Sequence, residues 1–63
     1  MIKTTYKAFV EKSGGFWIIS VPSIRGLHTQ ALTEDSIEFM TRDAISLMME
    51  SEPSSFDLEF EYR

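Results

Sequence analysis

The alternation of apolar and polar residues divides this chain into four strand-like segments and one helix-like segment. Residues 4–12 and 16–21 are rich in β-branched and aromatic side chains. In the second segment both the odd-numbered and the even-numbered positions include apolar residues, as in a strand covered on both faces. Residues 27–31 predict a short third strand. Residues 34–50 repeat apolar positions at three- and four-residue spacing, which predicts a helix. Apolar and charged residues alternate strictly in residues 56–63, which predicts a half-buried strand.

Turn and cap residues mark the ends of these segments. Ser13-Gly14-Gly15 predicts a hairpin connection, since glycine adopts the positive φ values that tight turns need. Pro22 ends the second strand because it cannot donate a ladder hydrogen bond, and Thr33 is a suitable N-cap for the helix. The predicted apolar stripe of the helix consists of Ile37, Met40, Ala44, Leu47 and Met48, widened by Phe39, Ile45 and Met49.

The order of the segments, β-β-β-α-β, predicts a single α+β domain over residues 1–63. A three-strand meander and a right-handed crossover return the last strand parallel to the first, so we expect a four-stranded mixed sheet of order 3-2-1-4 with one helix on one face. Because the first two strands are apolar at both parities, the sequence leaves open which face the helix covers. Aromatic residues on the uncovered face would call for a partner or a second copy. The expected packing residues at such a surface are Phe9, Trp17 and Ile19.

The composition excludes several kinds of site. A chain of 63 residues buries only roughly 60% of its unfolded surface, so domains of this size usually depend on a disulfide, a metal or a partner. The chain has no cysteine and a single histidine, His28, so no typical zinc site is expected, and oligomerisation or complex formation is expected instead. His28 and Thr29 are successive strand residues that point to opposite faces, so they form no catalytic pair. We therefore expect neither enzymatic activity nor a cofactor.

Charge is distributed unevenly along the chain, whose formal net charge is −4. Residues 1–33 contain four basic residues and one acidic residue, whereas residues 34–63 contain nine acidic and two basic residues. The acidic C-terminal half of the chain disfavours binding to a phosphate backbone. The same negative charge attracts a basic protein to this half. The alternative is a solvated acidic face that only maintains solubility. The residues expected to attract a basic partner are Asp57, Glu59, Glu61, Glu38 and Asp43.

An ordered set of short motifs runs through the chain. They are an aromatic-rich strand ending in Val21-Pro22, a loop to Gly26, the run Leu27-His28-Thr29-Gln30, the cap Thr33 and the helical run Arg42-Asp43-Ala44-Ile45. Together these motifs resemble the HicB-type antitoxin family, and the resemblance extends over nearly the whole chain. Two positions depart from the common pattern: Ala31 replaces a frequent glycine, and Ser36 replaces a common glutamate.

The resemblance implies a partial ribonuclease-H-like fold and a function that is not enzymatic. HicB-type proteins bind a small basic HicA-type ribonuclease toxin and occlude its active site, and they commonly form homodimers or higher homo-oligomers. Many members carry a C-terminal DNA-binding segment. The sequence here ends at Arg63, so DNA binding by this chain alone is not expected.

Two other functions remain open at this point. One is a homo-oligomeric structural or regulatory domain without a toxin partner. The other is a small RNA-binding protein that uses Lys3, Lys7 and Lys12 beside Trp17. No segment approaches the roughly 20 apolar residues of a membrane span, and the N-terminus lacks the apolar core of a signal peptide. A soluble, cytoplasmic protein without a membrane partner is therefore expected.

Overall fold

The computed structural model describes residues 3–63. Within these residues lie four strands and one α-helix, with the bounds β1 Thr4–Ser13, β2 Phe16–Val21, β3 Leu27–Ala31, α1 Ile37–Met49 and β4 Phe56–Tyr62. The strands form a mixed sheet in the order β3-β2-β1-β4. β1 pairs antiparallel with β2 and parallel with β4. The predicted α+β fold, strand order and parallel return of the last strand are confirmed.

The connection between β1 and β2 is a two-residue hairpin formed by Gly14 and Gly15. Ser13 lies opposite Phe16 in the register, and Gly14 has a φ of 64°. A residue with a Cβ is strained by about 1 kcal/mol or more in this left-handed region. A Cβ at position 14 would meet no neighbouring atom, so the turn requires glycine for its backbone conformation and not for space.

The loop between β2 and β3 contributes to the hydrophobic core through Ile24, which is buried. Its amide donates to the Val21 carbonyl at 3.1 Å, and its own carbonyl accepts a hydrogen bond from the Leu27 amide at 2.7 Å. Gly26 adopts a φ of 68° just before β3 begins. The sequence predicted the loop after Pro22 but gave no indication that one loop residue would be a core residue.

One face of the sheet is covered by α1, and we call it the covered face. The buried apolar residues of the core are Ala8, Val10, Ile19, Val21, Ile24, Leu27, Ala31, Ile37, Ile45 and Phe56. The opposite face, which we call the open face, carries Lys7, Phe9, Glu11, Phe16, Ile18, Ser20, His28, Gln30, Asp57, Glu59 and Glu61. The parity left open by the sequence is thus decided: the even-numbered residues of β1 face the helix.

The residues that α1 buries differ from the predicted stripe. Ile37, Thr41 and Ile45 are the buried helix residues, whereas Leu47 is 73% exposed and Met48 is 53% exposed. Thr41 can be buried because its hydroxyl donates a hydrogen bond to the Ile37 carbonyl at 2.7 Å, so the buried oxygen has a hydrogen-bond partner. The prediction that Leu47 and Met48 belong to the core stripe is therefore wrong.

The start of the helix also differs from the prediction. A single turn of 3₁₀ helix, Glu34–Ser36, precedes α1, and Thr33 makes no side-chain cap to the backbone. Its hydroxyl instead donates to the Ser36 Oγ at 3.0 Å, and Ser36 Oγ donates to the Thr33 carbonyl at 2.9 Å. Thr33 is therefore the N-cap residue of the 3₁₀ turn that leads into α1, although its hydroxyl caps no backbone amide, and the N-cap residue of α1 itself is Ser36.

Candidate protein-binding surfaces

Three carboxylates line the open face along β4. Asp57, Glu59 and Glu61 alternate with apolar residues of the strand, are exposed, and form what we call the acidic strip. The parallel register places Lys7 beside Glu59, and its Nζ lies 3.9 Å from Glu59 Oε1 and 3.1 Å from Glu61 Oε1. Exposed pairs of this kind contribute about 0–1 kcal/mol to stability. One ammonium group shared by two of three carboxylates leaves the strip with a net negative charge.

Phe9 lies beside the acidic strip, between two cationic side chains. The Arg63 guanidinium carbon is 4.2 Å from the centre of the Phe9 ring, and Lys7 Nζ is 5.7 Å from it. Arg63 is held in place because its amide donates to the Val10 carbonyl at 2.8 Å. Phe9 is partly exposed on the open face, so its place on a packing surface stays a prediction.

His28 lies on the open face next to the apolar side chain of Ile18. A depression of about 140 Å³ is lined by Phe9, Glu11, Ile18, Ser20, His28 and Arg63. This arrangement combines apolar, cationic and anionic groups over a shallow surface. Such a surface is suited to contact with another protein and offers no enclosed cavity for a small molecule.

The predicted set of partner-binding acids is divided between two surfaces. Glu38 and Asp43 lie on α1, across the sheet from the acidic strip, and both are exposed. Glu38 Oε2 accepts a hydrogen bond from Arg42 Nε at 2.9 Å, which neutralises part of its charge. Only the strand acids form a continuous row, and a contact of Glu38 and Asp43 with a basic partner stays a separate prediction.

Trp17 and Ile19 do not share a surface with Phe9. Ile19 has no exposed surface and belongs to the core beneath α1, so its predicted place at an oligomer or partner surface is wrong. Trp17 packs against the edge of the core, with its ring perpendicular to that of Tyr62 at 6.1 Å and with Lys12 Nζ 5.4 Å from its ring. The alternation of side chains along a strand places both residues on the covered face, opposite Phe9.

Arg42 joins the helix to the start of β4, a role that the sequence analysis did not identify. Its Nη1 donates to the Pro53 carbonyl at 2.7 Å and to the Phe56 carbonyl at 2.9 Å. The guanidinium also lies 5.4 Å from the centre of the Phe56 ring. The only signal in the sequence is the four-residue spacing between Glu38 and Arg42, which indicates a helical ion pair and not contacts with a distant loop.

The alternative RNA-binding residues are not brought together in the described part of the chain. Lys7 lies on the open face and contacts Glu59 and Glu61, whereas Lys12 contacts Trp17 on the covered side. Within residues 3–63, no group of three His, Cys, Asp or Glu side chains has the geometry to hold a metal ion. No helix in the same range combines the length and apolar character needed to cross a membrane.

Fold and surface define a small α+β domain with one sheet face covered by a helix and the other open and charged. No protein-family model and no solved structure matches the chain. The chain is 37% identical over 46 residues to a UPF0150 protein of Archaeoglobus fulgidus, in an alignment that covers 73% of this chain and 67% of that protein. The chain belongs to the UPF0150 family.

Proposed function

We propose that this protein is an antitoxin-like binding module that neutralises a HicA-type ribonuclease toxin. The observation that carries the proposal is the acidic strip on the open face, where Asp57, Glu59 and Glu61 form a row with Lys7 as the adjacent counter-ion. The resemblance to HicB-type antitoxins supplies the class of partner. The partial ribonuclease-H-like character of the fold is part of the same proposal.

The acidic strip is chemically suited to a ribonuclease that binds RNA through cationic residues. Its carboxylates, like the phosphates of RNA, are anionic groups that bind lysine and arginine side chains. The acidic strip would therefore compete with RNA for the cationic surface of the toxin. Because the Glu59 and Glu61 side chains are 67% and 49% exposed, their field reaches solvent and raises the rate of encounter with a basic protein. The partly exposed Phe9 beside the strip supplies apolar contact once the two proteins meet.

The proposal is tested by co-expressing the chain with the product of the neighbouring open reading frame. Co-elution with a small basic protein that is toxic when expressed alone supports it. A homo-oligomer that binds no neighbour and rescues no toxicity refutes it and favours a structural or regulatory domain without a toxin. The partner acts on RNA, so we assign the complex to the cytoplasm.

Charge variants test the acidic strip itself. Glu59→Lys with Glu61→Lys should lower the association rate about tenfold or more at low salt, with a smaller effect at high salt. Glu59→Gln with Glu61→Gln should give an intermediate rate, because it removes charge without placing cations beside Lys7. The matched control is Glu50→Lys with Glu52→Lys, which changes the net charge equally on the exposed loop after α1. Equal effects of the two lysine pairs would show that only net charge matters and would refute the role of the strip.

A further inference from the structure

β3 forms an edge of the sheet without charge or proline. Its residues are Leu27–Ala31, and the neutral His28 is the only ionisable one among them. The side of an edge strand that faces away from the sheet presents unpaired backbone N–H and C=O groups, and proteins commonly use charged residues or proline to prevent pairing there. The opposite edge, β4, carries the acidic strip, so β3 is the edge that remains open to a further strand.

α1 covers the space beside this edge as well as β3 itself. The helix packs mainly on β3, and a helix with its side chains is about 10–12 Å wide, whereas neighbouring strands lie about 4.8 Å apart. Met40 marks the flank of α1 that faces the edge, because it lines a depression of about 340 Å³ with Gln30, Ala31, Leu32 and Ser36. α1 therefore overhangs the position that a strand next to β3 would occupy.

The overhanging flank of α1 is apolar and exposed. Met40, Ala44 and Leu47 follow one another at four- and three-residue spacing, so they lie on the same flank. Leu47 is 73% exposed, and Leu32, which lines the same depression as Met40, is 78% exposed. A strand that lay beneath these side chains would remove apolar surface from water, which favours its binding.

The open face has a second depression along the same edge. Its volume is about 570 Å³, and it is lined by Phe16, Ile18, His28, Thr29 and Gln30. Because side chains alternate along a strand, a strand beside β3 would place one set of side chains beneath α1 and the other set in this depression. The first position favours large apolar side chains, and the second, which mixes apolar and polar groups, favours neutral ones such as threonine.

The space beside β3 has acidic residues at one end. The 3₁₀ turn that follows β3 carries Glu34 and Asp35, and both are exposed. The sequence from Gly26 to Thr41 contains no lysine or arginine. In an antiparallel pair the N-terminal end of the incoming strand lies beside Ala31, close to this turn. A basic residue at that end would meet opposite charge.

We propose that β3 pairs antiparallel with an extended segment of a partner protein, so that the segment becomes a fifth strand of the sheet. The segment has a basic residue at its N-terminal end and alternates large apolar residues, which face Leu32 and Met40, with small neutral residues, which face Ile18 and His28. Backbone hydrogen bonds supply affinity in this mode of binding, and the alternate side chains supply specificity. The pairing does not depend on the proposed function, because it uses the edge opposite to the acidic strip.

The overhang of α1 favours a single strand over a second copy of this chain. Antiparallel pairing of β3 with β3 of a second copy would place two α1 helices over adjacent strands, about 5 Å apart, whereas packed helices lie about 8–10 Å apart. An extended segment brings no helix of its own, so it fits beneath the flank of α1.

Fluorescence anisotropy of the labelled, end-blocked peptide Lys-Leu-Thr-Val-Thr-Leu-Thr measures the pairing. The wild-type chain should bind it saturably, and amide hydrogen exchange should slow in residues 27–31. No saturable binding up to about 1 mM refutes the proposal. A peptide with glutamate in place of lysine should bind about threefold more weakly at low salt, with a smaller difference at high salt.

Two methylated peptides test whether the backbone of β3 is the contact. One has methyl groups on the leucine and valine amides, and the other has them on the threonine amides. A strand donates to a given neighbour through the amides of alternate residues, so one methylated peptide should lose about tenfold or more in affinity while the other still binds. Equal affinities of the two peptides refute strand pairing.

Matched lysine variants locate the bound peptide on the protein. Leu32→Lys should raise the Kd about tenfold, because it removes apolar contact and repels the basic end of the peptide. Phe39→Lys is the control, since Phe39 is 69% exposed and lies on the side of α1 away from the sheet. Circular dichroism should show folded protein in both cases. Equal Kd values for the two variants refute binding at the β3 edge.

The remaining outcomes distinguish this pairing from the proposed function. Glu59→Lys with Glu61→Lys should leave the Kd of the peptide nearly unchanged, and loss of peptide binding in that variant assigns the peptide to β4 and refutes pairing at β3. A wild-type dimer in light scattering that the peptide does not dissociate assigns β3 to a second copy and also refutes it. Failure to neutralise a toxin while the peptide still binds refutes the proposed function alone.

Discussion

Replacing Arg42 by methionine should separate the helix from the start of β4 and lower the stability of the domain. The side chain donates to the Pro53 and Phe56 carbonyls and to Glu38, and it is 25% exposed. A hydrogen bond to a charged group contributes about 1.5–3 kcal/mol when well buried, and much less when solvent competes. Since the bonds to Pro53 and Glu38 are exposed and the bond to Phe56 is partly buried, we expect a total loss of about 2 kcal/mol.

That loss is large for a domain of this size. A stability of about 0.05–0.15 kcal/mol per residue corresponds to roughly 3–9 kcal/mol here, and the melting temperature should fall by about 10 °C. Thermal and urea unfolding followed by circular dichroism measure the change. Glu38→Ala is the control: it removes the ion pair of α1 and leaves both carbonyl contacts, so it should cost only about 0.3–0.5 kcal/mol. Equal costs for the two variants would refute the role of Arg42 as a link between α1 and the β4 start.

Four further substitutions test the backbone and the core. Glu50→Gly should raise the free energy of unfolding by about 0.5–1 kcal/mol, because Glu50 ends α1 in the left-handed region at φ 52°; no gain in urea unfolding would contradict this. Gly14→Ala should cost about 1 kcal/mol for the converse reason, and an unchanged melting temperature would argue against the turn geometry. Ile45→Ala should cost about 2–4 kcal/mol, whereas Leu47→Ala should be nearly neutral because Leu47 is exposed; the reverse order would restore the helix stripe predicted from sequence.

Local patterns in the sequence determined the elements and their order. The strict alternation in residues 56–63 predicted β4, and the two glycines after Ser13 predicted the hairpin. A single crossover between the third and fourth strands then left one simple layout, the observed order β3-β2-β1-β4. These features depend on chain connectivity and on backbone preferences that act within a few residues, so they can be predicted without tertiary contacts.

Tertiary structure alone decided which side of β1 and β2 is buried and which residues of different elements share a surface, whereas the alternation in β4 already marked its apolar side. Phe9 and Ile19 are both apolar strand residues, yet Ile19 lies beneath α1 and Phe9 lies on the open face. Likewise, Glu38 and Glu61 have the same chemistry but lie on opposite sides of the sheet. The helix can bury only one face, and the choice depends on the summed packing of residues from every strand.

The need for tertiary contacts also explains why the buried residues of α1 were predicted incorrectly. Periodicity assigned Leu47 and Met48 to the core and gave Thr41 no role, whereas the structure buries Thr41 and exposes the other two. A hydroxyl that bonds to its own helix can replace an apolar group, and spacing does not reveal this. Arg42 likewise reaches carbonyls 11 and 14 residues away. The sequence therefore determined which elements form and in what order, while long-range contacts decided the buried faces of β1, β2 and α1 and brought Lys7 beside the acidic strip.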